Sequence, residues 1–160
     1  MAFFFGNHTK AIDAKGRVSM PKPFRDELLR DNEENMAIFR SKNFPCLEIC
    51  GRQHLQGIYE SLRDLPEFSK DRQLIAIGYL SDAVEFTADS QGRFVIPSKL
   101  LDGLGTTDEV LFAGIGSTFQ AWVPERYENQ LPEAESEISE RQLADKMLPP
   151  GSFSGHGGTG

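Results

Sequence analysis

Asp13-Ala-Lys-Gly-Arg17 and Asp89-Ser-Gln-Gly-Arg93 are two copies of one five-residue device, 76 residues apart in a chain of 160. Asp, Gly and Arg keep their places while the residues between them change. Each copy is followed at the same distance by a proline, Pro21 and Pro97. Asp-x-x-Gly between apolar runs encodes a hairpin connection: the Asp side chain accepts from its own downstream amides, and Gly takes the positive φ. Val18-Ser-Met20 and Phe94-Val-Ile96 are the outgoing strands. Proline then ends each strand, because it cannot donate to a ladder, and it suits the first turn of a helix. Phe24, Leu28 and Leu29 give that helix a buried face. In the second copy Leu100, Leu101 and Leu104 do the same, with Gly103 and Gly105 ending it.

The repeat extends outward from this core. Residues 12–24 align with 88–100, and Leu28 with Leu104. Ala37-Ile-Phe39 matches the neighbourhood of Leu111 and Phe112, and 44–50 matches 117–123 with Ile49 against Trp122. Each copy reads as strand, turn, strand, short helix, strand, turn, strand. Two helical patterns lie between the copies. Residues 53–65 place Leu55, Ile58, Tyr59 and Leu62 on one stripe before Pro66, and 67–79 form a second, less regular helix. Another helix begins at Pro124 and resumes after Pro132 as the charged segment 133–147. The expected organisation is a first repeat over 1–53, a helical connection over 54–80, a second repeat over 81–127, a charged C-terminal helix over 128–148 and a disordered Gly-, Ser- and Pro-rich tail over 149–160.

Composition excludes several classes. No apolar run approaches the roughly 20 residues that span a bilayer, and Met-Ala-Phe-Phe-Phe-Gly lacks the basic start and apolar length of a signal peptide. The expected location is the cytoplasm, with no membrane partner. Net charge is −7, which argues against a nucleic-acid partner until its distribution is read. Residues 8–25 hold five Lys or Arg and one acid, whereas 125–146 hold seven acids and three bases. A basic patch on an acidic protein still acts locally, within about one Debye length, ~8 Å at physiological salt. Cys46 and Cys50, four apart in a strand, would stand about 13 Å apart, too far for a disulfide or a shared metal. They read as small buried hydrophobes; a catalytic pairing with His54 is the remote alternative.

Asp and Gly are accounted for by the turn; Arg is not. A guanidinium directly after the bulge can pair with its own Asp, and an exposed pair of that kind adds little stability. The functional reading is that Asp holds the Arg fork ready for a phosphate or a guanine edge, met by two parallel hydrogen bonds. The candidate contact residues are therefore Asp13, Lys15, Arg17, Asp89 and Arg93. Lys10, Lys22 and Arg25 are added as backbone contacts; Lys99 is a further basic candidate, and Gln91 replaces Lys15 in the second copy. Enzymatic readings find little support. Gly114-Ile-Gly116-Ser-Thr lacks the third glycine and following helix of a dinucleotide loop. The acids of 133–140 read as a solvated helix face, no serine sits in a nucleophile elbow, and no spacing suits a metal. No catalytic residue, cofactor or metal is expected.

A duplicated Asp-x-x-Gly-Arg with an apolar-Pro step four residues on resembles the MraZ family of bacterial transcriptional regulators. Phe5-Gly6, Phe24-Arg25, Cys46-Leu47, Gly114 and Trp122 support the resemblance, which covers roughly residues 1–147. It implies a mainly β fold with accessory helices: two AbrB/SpoVT-type swapped-hairpin units interleaved in one chain as a pseudo-symmetric β-barrel. It further implies ring-shaped homo-oligomers on the nucleoid that bind direct repeats in double-stranded DNA. Members commonly repress the division and cell-wall gene cluster, the Asp-x-x-x-Arg motifs being the proposed contacts. An antitoxin-like protein-interaction module, with the acidic arm as its working surface, is the alternative.

Overall fold

The computed structural model describes residues 1–105 and 108–149. Met1–Arg126 forms one compact unit, and the described residues from Tyr127 to 149 belong to a second. In the first unit the two copies give the same order of elements. Copy one contributes β1 (Asn7–Ala11), β2 (Arg17–Ser19), α1 (Lys22–Arg30), β3 (Met36–Arg40), β4 (Leu47–Gly51) and α2 (Arg52–Glu60). After α3 (Lys70–Ala76), copy two contributes β5 (Val84–Phe86), β6 (Arg93–Val95), α4 (Ser98–Leu104), β7 (Glu109–Gly114) and β8 (Phe119–Trp122), and then α5 (Pro124–Glu140) begins.

Six strands form one antiparallel sheet in the order β1-β7-β8-β4-β3-β5, and β2 pairs with β6 as a separate two-stranded ribbon. The hairpins β3–β4 and β7–β8 each stay within one copy, and every other ladder joins the two copies. β1 pairs with β7 of the other copy, and β5 with β3. Both symmetric ladders centre on equivalent residues. In the ribbon Val18 faces Phe94, flanked by Arg17↔Val95 and Ser19↔Arg93; in the sheet Glu48 faces Gln120 between Leu47↔Ala121 and Ile49↔Phe119. A pseudo-two-fold axis therefore passes through both pairs. It makes Ala121, not Trp122, the counterpart of Ile49; Trp122 corresponds to Cys50, so the expected alignment of the last strand was one residue out. Among the described residues the hydrogen-bonded ladders run as these two sheets. The ribbon lies against the sheet's edge strands, joined to β1's end by the bridge Ile12↔Val18.

Val18 and Phe94 point inward, as strand alternation requires of residues flanked by exposed neighbours. Phe94 stacks on Phe86 of β5 at 4.7 Å and touches Phe112 of β7 at 6.1 Å. The aromatic chain continues from Phe112 to Phe119, and Phe119 meets Phe4 and Phe24 at 4.9 Å each. This continuity anchors the ribbon to the core. The N-terminal segment is seated as tightly: Gly114 accommodates the Phe4–Phe5 backbone so closely that a Cβ there would lie 2.4 Å from the Phe5 nitrogen.

Pro21 and Pro97 take the same N-cap conformation, φ −55° and −54°. Each carbonyl accepts two amides of the helix it opens, at 3.0 Å. Phe24 and Leu28 are buried as expected, but Leu29 is 60% exposed, because it lies on the far side of a helix only nine residues long. Leu100 and Leu104 are buried and Leu101 half-buried; Gly105 ends α4 at φ +84°. The helices between the copies are shorter than their apolar patterns suggested. α2 stops at Glu60 and α3 at Ala76, followed by a π-turn over Ile77–Ser81. Neither helix buries a side chain fully, so little packing energy extends them. Pro132 does not interrupt α5, which runs through it to Glu140. The expected tail lies, beyond residue 149, outside the described residues.

Candidate functional site

The two Asp-x-x-Gly-Arg turns are near-superposable in their bonding. Asp13 Oδ1 accepts the Lys15 and Arg17 amides, and its Oδ2 accepts Arg17 Nε, all at 2.9 Å. Asp89 Oδ1 accepts the Gln91 and Arg93 amides, and its Oδ2 accepts Arg93 Nε, again all at 2.9 Å. Gly16 and Gly92 stand at φ +80°, where any other residue is strained. Both aspartates ionise below the ordinary value of 3.8, chiefly because the Arg17 and Arg93 amides donate to the charged carboxylate. The expectation that Asp orients Arg is met in geometry: Nε is engaged, and among the described residues no group hydrogen-bonds the outer nitrogens of either guanidinium.

Ribbon pairing brings the two turns together. Arg17, Ser19, Arg93 and Val95 are the exposed positions of β2 and β6, so all four share the ribbon's outer face. Arg17 lies opposite Val95 and Arg93 opposite Ser19. The arginines are thus diagonal cross-strand neighbours, a relation that puts backbone positions about 7–8 Å apart and side chains within reach of one another. They line one shallow depression with Thr87, Asp89 and Val95. Lys15 and Gln91 stand exposed at the two turn tips.

The other candidates are placed differently. Lys10 is on β1, on the strand side that carries buried Ile12 two residues on. Lys22 is exposed on α1 and pairs with Asp26 at 2.8 Å. Lys99 stands 4.0 Å from Asp82, and its carbonyl accepts from Arg40. Arg25 is half-buried and donates from Nη2 to the Ser90 carbonyl of the second turn. Reading the residues alone gave two separate arginine turns and missed their shared face, together with Val95 and Ser19 on it. Strand parity in Arg-Val-Ser and Arg-Phe-Val was the available signal for exposure; nothing in either triplet names its partner strand. Cys46 and Cys50 are buried, and burial above all, with Glu48 nearby, pushes both thiols up to about 12. That protonated state fits a packing role.

A transcriptional regulator MraZ of Gluconacetobacter diazotrophicus is 36% identical over 147 residues, covering 90% of this chain and 92% of that protein. The chain belongs to the MraZ family. The MraZ regulator of Methylocella silvestris is 33% identical over 149 residues, covering 92% and 91% of the two chains. That of Rickettsia bellii is 30% identical over 132 residues, covering 82% and 88%. The family model described as "MraZ protein, putative antitoxin-like" matches residues 79–148, which include the second arginine turn. MraZ names a family of transcriptional regulators, not of enzymes. No helix among the described residues is long and apolar enough to cross a membrane.

Proposed function

We propose that the outer face of the β2–β6 ribbon is the DNA-contacting surface of a sequence-specific transcriptional regulator. The observation that carries this reading is the diagonal pair Arg17 and Arg93, each held at Nε by its own aspartate, with no hydrogen bond to its outer nitrogens among the described residues. A two-stranded ribbon fits the B-DNA major groove, about 12 Å wide. Two pre-oriented forks suit guanine O6 and N7 edges or phosphates, and fixing them beforehand lowers the ordering cost of contact. Lys15 adds a phosphate contact at the tip of one turn. Asp13 and Asp89 act as orienters. Net charge of −7 confines the attraction to this patch.

In line with the family resemblance, the protein acts on the nucleoid in the cytoplasm as a ring-shaped homo-oligomer. It binds direct repeats and represses the division and cell-wall gene cluster, its own promoter included. Selection of bound duplexes from a random pool, followed by Arg17→Ala and Arg93→Ala, tests the reading. Each single substitution is expected to weaken binding by about 1–3 kcal/mol where the arginine reads a base, or to lower the salt slope by about 0.9 where it meets a phosphate. Unchanged affinity of a folded double mutant at fixed salt would sink it.

The family description, antitoxin-like, favours a second reading in which the main partner is another protein. Removing residues 133–160 separates the two: a DNA binder keeps its DNA, and an interaction module working through the acidic arm loses its partner.

A further inference from the structure

The second arginine turn is held from outside its own copy. Arg25, on α1 of the first copy, donates from Nη2 to the carbonyl of Ser90, the residue after Asp89. Its side chain also lies flat against Gly92: a Cβ there would stand 3.1 Å from Arg25 Cδ, 3.4 Å from Nη1 and 3.5 Å from Nε. The Met20 amide, just ahead of α1, donates to the Gly92 carbonyl at 2.8 Å. The pseudo-two-fold axis repeats the arrangement with different chemistry. Leu101, Arg25's counterpart on α4, lies over the first turn, its Cδ2 3.7 Å from where a Gly16 Cβ would be, and the Ile96 amide donates to the Gly16 carbonyl at 2.9 Å. Each copy's helix therefore props the other copy's turn.

We infer that Arg25 is a positioning residue that fixes the Asp89–Arg93 turn, and through it the Arg93 fork, rather than a phosphate contact. This rests on the DNA reading of the ribbon for its consequence, not for its geometry. A leucine fills the equivalent place, so the position calls for support and not for charge. At a half-buried position the guanidinium is engaged with a carbonyl of the turn. Ser90 sits between Asp89, which grips Arg93 Nε, and Gln91, whose amide Asp89 accepts. Releasing Ser90 loosens all three together.

Arg25→Leu, which imitates the other copy, and Arg25→Gln, which keeps a neutral donor for Ser90, are the variants. Amide exchange is followed by NMR on the intact chain without DNA. In Arg25→Leu the Gln91 and Arg93 amides are expected to exchange about tenfold faster, the scale of one lost hydrogen bond, while those of Lys15 and Arg17 stay within about twofold of wild type. Arg25→Gln retains most of the protection. Unchanged exchange at Gln91 and Arg93 in Arg25→Leu overturns the inference.

With duplex DNA, Arg25→Leu is expected to lower affinity without changing the slope of log K against log salt; a slope reduced by about 0.9 marks a lost phosphate contact and refutes it. The affinity loss is expected to vanish in an Arg93→Ala background and to persist in Arg17→Ala, a coupling that a general loss of stability does not produce. Wild-type protein with no salt-dependent affinity for DNA would defeat the DNA reading alone, and the exchange experiment would still decide the brace.

Discussion

Replacing Gly16 and Gly92 by alanine, one at a time, makes the same change in the same motif and is expected to give unequal losses. Both glycines stand at φ +80°. An L-residue held in the left-handed region costs roughly 1–2 kcal/mol, so both variants carry that term. The second term differs. At Gly92 the new methyl first meets Arg25 Cδ at 3.1 Å, part of a flexible side chain that can swing away. At Gly16 it meets the Ile96 carbonyl oxygen at 2.8 Å, and Ile96 is tied to Gly16 by its own amide. That oxygen cannot retreat without moving the ribbon, which adds an overpacking cost of about 1–3 kcal/mol. Gly92→Ala is therefore expected to lose ~1–2 kcal/mol and Gly16→Ala ~2–5 kcal/mol. Urea unfolding at matched m-value measures both. At about 2–4 °C per kcal/mol for a chain of this size, Gly92→Ala lowers Tm by roughly 2–8 °C and Gly16→Ala by more. Equal losses, or a greater loss at Gly92, would refute the reasoning.

Two further outcomes follow from the ionisable groups. Asp13 and Asp89 have folded-state pKa values below the ordinary 3.8, so their stabilisation of the turns is complete above that value and lost as pH falls through the folded one. Exchange protection of the Lys15, Arg17, Gln91 and Arg93 amides, corrected for intrinsic rates, is thus expected to stay constant from pH 7 to about 4.5 and to fall only in stronger acid; loss beginning near pH 6 would contradict it. Cys46 and Cys50, with thiols pushed up to about 12, are expected to resist a disulfide reagent at pH 8 in the folded protein and to react fully in denaturant. Native-state labelling at the rate of free cysteine would disprove their burial.

The residues disclosed the local devices and concealed the long-range ones. Asp13, Gly16 and Pro21 each act on neighbours within a few positions, so the turn, its left-handed glycine and the following cap were all legible. The helix α1 was legible too, apart from Leu29, which at 3.6 residues per turn stands about 140° round the helix from Phe24 and so leaves the face that Phe24 and Leu28 share. The exchange of strands was accessible only through resemblance. β2 and β6 are three residues each, too short for their patterns to specify a partner, and register is set by burial of a whole face. Arg25 illustrates the same limit. Its position among lysines and arginines made it a surface charge, whereas Ser90, 65 residues away, gives it a carbonyl to hold.

The exchange of hairpins also removes concentration as a variable. Were the two copies separate chains, the β2–β6 ribbon and its arginine pair would come apart on dilution. The connection running from α2 through α3 makes their association intramolecular, and flexible links of modest length give effective concentrations in the millimolar range. The ribbon therefore persists at whatever small number of molecules a cell maintains. Joining has a second effect: each copy no longer has to match itself. One side could keep Lys15, Ser19 and Arg25 while the other took Gln91, Val95 and Leu101, giving a two-fold scaffold a face with a direction along it.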